Sequence, residues 1–359
     1  MREVKQDMGT DITEAFEVHH IKGVAETLLN KYRVRKAQSP RLSPYTFEDD
    51  GFYRTLKRNV SEQLKSIPKK ALVAKRNDFC YWFAAASGYF LASVTVAAHN
   101  YFHQKDNIRM YYFNFSLMNY REWRISHSLS HHLYTNTVID LEMIFFEPMI
   151  SYYPVTKSFT KKYLPWLYSP ILWFFTFHLS LITRIKNAVA FNDTRSFSKG
   201  DLIPYILPLT MYLFGNQTLL HTFGMWTVVI LCSSFVFSFI GINAAHHHPE
   251  IFHDGDTPNK DTDWGINQID AVADRNEITG SHYLVLTNFG DHALHHMFPT
   301  LDQGLLQHIY PTFEKTLKQF NIDLRMTSQL ELVKGQFLQM ARCQPNPNPP
   351  SAKWTKRDS

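Results

Sequence analysis

His99-Asn-Tyr-Phe-His103, His127-Ser-Leu-Ser-His131-His132 and His292-Ala-Leu-His295-His296 decide how this 359-residue chain is read. Residues three or four apart on a helix share a face, so His99 with His103, His127 with His131, and His292 with His295 or His296 can each aim two imidazoles at one point. Eight of the chain's eighteen histidines sit in these clusters. A lone histidine on an apolar face is ordinarily a satisfied core residue. Three helically spaced clusters read differently, because a buried imidazole needs a partner and too few carboxylates lie nearby to serve eight. The pattern is a metal site.

A fourth contributor follows an uncharged run at Asn243-Ala-Ala-His246-His247-His248. Asn243 and His247 are four apart, so His247 is read as the ninth nitrogen and Asn243 as the holder of a metal-bound water, with His246 as the alternative. His248 and His253 are read as polar loop residues. Nine imidazoles exceed the shell of one ion and fit two metals with about four or five nitrogens each. Imidazole suits iron, zinc and copper alike, so ligand type alone does not choose the metal. A carboxylate-bridged bundle would need Glu-x-x-His pairs on facing apolar helices. Glu17…His20 and Glu250…His253 have that spacing but lie outside such helices.

Around the clusters, Phe79–Ala98 carries no charge over twenty residues, enough to cross a hydrocarbon core of about 30 Å and deliver His99 just beyond it. Leu164–Thr183 and Leu202–Ala245 are also uncharged, the second long enough for two passes turning near 215–223. One metal site cannot straddle a bilayer, so one run must not cross. Leu164–Thr183, with Pro165, Trp166, Tyr168, Pro170, His178 and Ser180, suits an interfacial helix. The loops sharing a side with the histidines carry many lysines and arginines while 215–223 carries none, which puts the clusters in the cytosol. The net charge of +5 is dispersed, which argues against a nucleic-acid stripe and suits a membrane surface. Cys80, Cys232 and Cys343 form no disulfide framework. Acidic residues at 254–274, together with Asp140, Glu142 and Asp291, are candidates to hold the outer nitrogens of metal-bound imidazoles. The fold expected is all-α: an integral-membrane helical domain with a histidine-rich cytosolic cap.

His-x3-His, His-x3-His-His and His-x2-His-His-x-Phe-Pro, ending here in Met297-Phe298-Pro299, resemble the histidine boxes of the membrane fatty acid desaturases. Asn243-x3-His247 is similar to that family's fourth ligand region. The flanks Gly9–His20, Ser126–His132, Asn243–His246 and Asn288–Pro299 resemble the insect-type cytochrome b5-related proteins, which join a cytochrome b5 domain to a desaturase domain. The resemblance implies two iron ions on His99, His103, His127, His131, His132, His247, His292, His295 and His296, with Asn243 acting through water. It implies dioxygen-dependent desaturation of fatty acyl chains at the endoplasmic reticulum, with a separate cytochrome b5 and its reductase supplying electrons. It divides the chain into a cytochrome b5 remnant at 1–36, a basic linker at 37–78 with one helix near 51–65, a desaturase-like domain at 79–343 and a disordered tail at 344–359. Residues 301–335 complete the cap. His20 or His19 matches the second haem ligand of the remnant. The His-Pro-Gly-Gly motif of the first ligand is absent, so haem is not expected on this chain and residues 9–36 read as a solvated surface helix. Other readings of the same residues are a di-iron hydroxylase, a zinc hydrolase needing only three of the histidines, and a non-catalytic relative.

Overall fold

The uncharged stretch entering the first histidine cluster becomes a helix, Gly88–Phe102, whose residues from Leu91 onward are all buried. The computed structural model describes residues 11–21, 28, 29, 31, 32, 34, 41, 43–67, 88–191, 197–242 and 245–350. Its helices are α1 (Thr13–His19), α2 (Phe52–Ser66), α3 (Gly88–Phe102), α4 (Tyr120–Trp123), α5 (Phe159–Ala190), α6 (Ile206–Gly215) and α7 (Leu219–Phe237). They continue as α8 (Trp264–Asp270), α9 (His282–Thr287), α10 (His292–Met297), α11 (Gln303–Gln319) and α12 (Gln329–Ala341). Two-residue strands at Asp274–Arg275 and Met326–Thr327 pair in parallel. The protein is all-α in substance.

Two apolar cores flank the histidines. In the first, α2 contributes Phe52, Leu56 and Val60, four residues apart, and these pack with Trp264, Leu294, Met297, Ile309 and Phe313. Tyr53 adds a hydrogen bond to the Met297 carbonyl (3.1 Å), tying α2 directly to the end of the third histidine cluster. In the second core, Val94, Ala98 and Phe102 of α3 meet Phe113, Ile230, Phe237 and Phe289. Each such fully buried large side chain contributes about 1.5–3 kcal/mol relative to exposure.

Several expectations change. The helix expected near 51–65 stands at 52–66, but it belongs to the core: Phe52, Tyr53, Leu56 and Val60 are buried, and so is Lys57. α1 is no solvated surface helix: Val18, Glu14 and Glu17 are buried, and Glu17 pairs with Arg54 and with Lys57 (3.0 Å). His20, in contrast, is exposed and lies against Phe16. Residues 344–350 of the tail are held in place, since Asn346 bonds to Asp256 (2.7 Å) and to the Pro249 carbonyl (2.8 Å). The run 202–245 yields only a ten-residue α6 before a turn and the nineteen-residue α7. Among the described residues, two helices are long and apolar enough to cross a membrane, Phe159–Ala190 and Leu219–Phe237. The beginning of the 79–98 run and Asn243 lie outside the described residues.

Candidate metal centre

Box by box, local backbone decides where each imidazole goes. His99 and His103 come from the last turn of α3 and the residue just after it. The second cluster does not follow α-helical spacing: α4 continues as a π-helix over Arg124–His131, and the His132 N–H donates to the His127 carbonyl five residues back (3.0 Å). A wider turn puts residues five apart on one face. His127 and His132 therefore meet through Nε2 atoms 3.0 Å apart, and His131 turns elsewhere. The third cluster is the short α10, started by Asp274, whose carboxylate accepts the backbone N–H groups of His292 and Ala293 (3.3 Å for the latter).

The rings sort into two adjoining groups. His99, His103, His127 and His295 place one nitrogen each within 4.8 Å of one another, and His132 closes this group with ring centroids 4.5 Å from His103 and 4.8 Å from His295. In the second, His131, His246 and His296 do the same, and His292 joins through Nε2 atoms 2.7 Å from those of His246. His132 and His296 stack at 4.1 Å where the groups meet. Thus the second and third boxes each feed both groups. The Nε2 atoms of His127 and His131 fall in different groups, although their Nδ1 atoms converge on Glu142 (2.8 and 3.7 Å), and His295 separates from His292 and His296.

His247 is not in either group. It stacks face to face on Tyr152 at 3.6 Å, while His246 occupies the position expected of it. Spacing misled here because Ala245 and His246 lie in a turn rather than on a helix. Asn136 grips that turn by donating to the His246 carbonyl (2.9 Å). His248 and His253 are not ordinary loop residues: His253 is fully buried, and the His248 ring packs against Gly335.

Outer nitrogens are held by a second layer. His131 Nδ1 donates to Asp140 (2.9 Å), His127 Nδ1 to Glu142 (2.8 Å), and His246 Nδ1 to the Ala271 carbonyl (3.1 Å). His296 Nδ1 faces Gln268 Oε1 at 3.2 Å, and His99 Nδ1 faces the Val96 carbonyl. Asp140 and Glu142 were legible candidates; Asn136, Gln268 and Thr135, whose hydroxyl donates to Gln268 Oε1 (2.8 Å), carried no sequence signal. The acidic stretch 254–274 serves structure instead: Asp270 pairs with Arg325, Asp256 with Arg342, Asp263 caps α8 and Asp274 caps α10. Asp291 sits in the left-handed region at φ 47° just before α10.

This arrangement fits metal ions. With each Nδ1 proton committed outward, the inward Nε2 atoms of His131 and His246 lie 3.2 Å apart, a separation that calls for a cation, proton or metal, between them. Bonds of about 2.1 Å to one ion would set neighbouring nitrogens about 3.0–3.4 Å apart, for octahedral to tetrahedral angles. Among the described residues, neither ring nitrogen of His103 and not Nε2 of His296 has a hydrogen-bond partner, although all are buried. Burial pushes His99, His103, His132, His246, His292, His295 and His296 well below the usual imidazole range, so all are neutral and ready to bind. For His131, burial acts the same way, but Asp140 and Glu142 override it and raise the group to about 9. The second layer thus calls for positive charge at this position.

Comparison with known proteins agrees with the geometry. The sequence pattern described as Fatty acid desaturase matches residues 79–328. A cytochrome b5-related protein of Drosophila melanogaster is 40% identical over 97% of this chain and 85% of its own length. One of Drosophila virilis is 48% identical over 19% of this chain and 46% of its own. A Dictyostelium discoideum protein described as "Probable Delta(5) fatty acid desaturase C" is 23% identical over 88% and 80% respectively. No solved structure matches. Boxes, buried donor groups and the match across most of the chain agree: this protein belongs to the fatty acid desaturase family.

Proposed function

We propose that the chain is a membrane-bound, dioxygen-dependent oxidoreductase of the endoplasmic reticulum that desaturates fatty acyl chains. The observation carrying this reading is the pair of adjoining buried nitrogen groups, five and four imidazoles, backed by Asp140 and Glu142. His99, His103, His127, His132 and His295 would hold one iron; His131, His246, His292 and His296 the other. Two irons would supply the reduction of dioxygen that removal of two hydrogens from neighbouring carbons requires. Two hydrogens from the chain and two further electrons with their protons convert one dioxygen to two waters. Those electrons would come from a separate cytochrome b5 and its reductase.

The protein's own residues fix geometry and keep the site dry. Phe289, Phe102 and Trp123 pack on His99 and His127, walling one group with hydrocarbon. In a low-dielectric pocket the ligand set holds its charge balance through the two carboxylates. The histidine boxes serve a hydroxylase equally well; product analysis separates the two.

Metal analysis of detergent-purified full-length protein tests the reading. About two irons per chain, and double bonds in added acyl lipid when cytochrome b5 and reductase are supplied, are expected. One zinc per chain would move the assignment to hydrolysis. Folded protein with no metal after iron loading would leave a non-catalytic relative.

A further inference from the structure

Helix α5 has the length of a membrane span, about 48 Å at 1.5 Å per residue. The buried face mixes Ser169, Thr176, Ser180 and Arg184 with Trp173 and Phe177, while the exposed stripe is apolar, carrying Leu164, Leu167, Ile171, Phe174, Ile182 and Ile185 at helical spacing. Such an apolar stripe needs hydrocarbon against it.

Both ends of α5 are tied to the segment that bears the second histidine box. Near its start, Tyr168 donates to the Met149 carbonyl, seven residues after Glu142. Toward its end, Arg184 is buried, donates to the Leu117 carbonyl (3.2 Å) and pairs with Asp201 (2.9 Å). Asp201 also accepts from Asn119 (3.0 Å), the capping residue of the helix leading to His127 and His131. Between these ties α5 crosses α7 over a short contact. Ser234 Oγ donates to the Trp173 carbonyl (2.7 Å), and Ser238 meets Thr176 (2.9 Å). The same end of α7 meets the metal centre, where Phe237 packs on Phe289 and Phe289 on His99.

A perpendicular α5 would set Asn119 and Met149, which flank one histidine segment, about 24 Å apart across hydrocarbon. It would also sink Asp140, Glu142 and the imidazoles to mid-membrane, where charge is costly. Laid flat, α5 keeps all of them at one level, and the α6–α7 hairpin points away with apolar residues at its tip, Phe214 being 84% exposed. We infer that α5 lies along the membrane surface with its apolar stripe sunk into one leaflet, while the α6–α7 hairpin enters the bilayer. The partner of this surface is the headgroup–acyl boundary of a single leaflet, with Lys161 and Lys186 exposed toward its phosphates near either end. The inference rests on the membrane-bound reading above.

Single cysteines test it in full-length protein with Cys80, Cys232 and Cys343 replaced by serine. In sealed microsomes, Phe159→Cys and Val189→Cys are expected to react with an impermeant maleimide from the same side as Leu330→Cys on the cap. Phe214→Cys should react only after permeabilisation. Phe159→Cys and Val189→Cys on opposite sides would overturn the inference while leaving the membrane reading intact. Reaction of Phe214→Cys in sealed vesicles would overturn both. Where lipid blocks labelling, fluorophores on Leu167→Cys, Phe175→Cys and Ile182→Cys should all be quenched most by a shallow nitroxide lipid. A middle position quenched most by the deep nitroxide, with shallow ends, means that α5 crosses.

Discussion

His131 and His246 face one another through Nε2 atoms 3.2 Å apart, each with its Nδ1 proton already donated outward, to Asp140 and to the Ala271 carbonyl. Two lone pairs at that separation define one edge of a metal's coordination shell. His246→Ala should therefore lose about one metal per chain, whereas His247→Ala, whose ring stacks on Tyr152, should retain both. Elemental analysis of the two purified variants decides, and equal loss in both would refute the assignment. Asp140→Asn should keep the fold but weaken the His131 group's metal about 10- to 100-fold, as loss of an outer-layer partner does.

Asn136 ties together the loops on which that group depends. Fully buried at φ 60°, it donates to the His246 and Phe252 carbonyls (both 2.9 Å), and its backbone N–H reaches Asp140 (2.9 Å). Asn136→Gly keeps the left-handed backbone available and deletes the side chain. Each carbonyl left unsatisfied costs about 1–3 kcal/mol. A lower unfolding temperature with selective weakening of one of two metal-binding steps is expected in titration. Equal weakening of both steps would show a general loss of structure instead.

How far the sequence could be read depended on regular backbone. The first box lies where α3 and its immediate extension put it, and the all-α character followed from apolar runs and helical spacing. Failures came where the backbone left the α-helix. A π-helix at 124–131 brings His127 Nε2 to His132, and the turn at 245–246 substitutes His246 for His247. Burial of 52–66 and of α1 was hidden because charged residues interrupt their apolar positions, and two of those charges, Glu17 and Lys57, are themselves buried as a pair. Asn136 and Gln268 act by reaching across the chain to backbone and ring atoms 110 and 28 residues away, which no local pattern encodes.

Gly241 provides a test of packing at the first nitrogen group. A Cβ there would run into the Phe289 ring, whose centroid lies 4.5 Å from that of His99 and whose backbone sits at φ 52°. Gly241→Ala should cost about 1–3 kcal/mol through overpacking. It should also displace Phe289 toward His99, reducing metal retention in that group after mild chelation. Gly241→Ala/Phe289→Leu, which makes room, should restore retention; failure of the double variant to do so would mean that the ring is not the cause.

Asp263 gives a pH dependence whose sign can be worked out. Its carboxylate caps α8 and accepts the N–H groups of Tyr53 and Gly265, yet burial raises it to about 6 from an ordinary value of 3.8. The folded protein therefore holds this proton more tightly than the unfolded chain. Its contribution to stability is fully present below about pH 4 and is lost as pH rises to about 6, at most about 3 kcal/mol for a shift of this size. Asn at this position keeps the capping oxygen without the charge. Asp263→Asn should raise the unfolding temperature relative to wild type at pH 7.5, and the gain should vanish near pH 4. A gain independent of pH, or one that grows on acidification, would show that the buried charge is not what the substitution relieves.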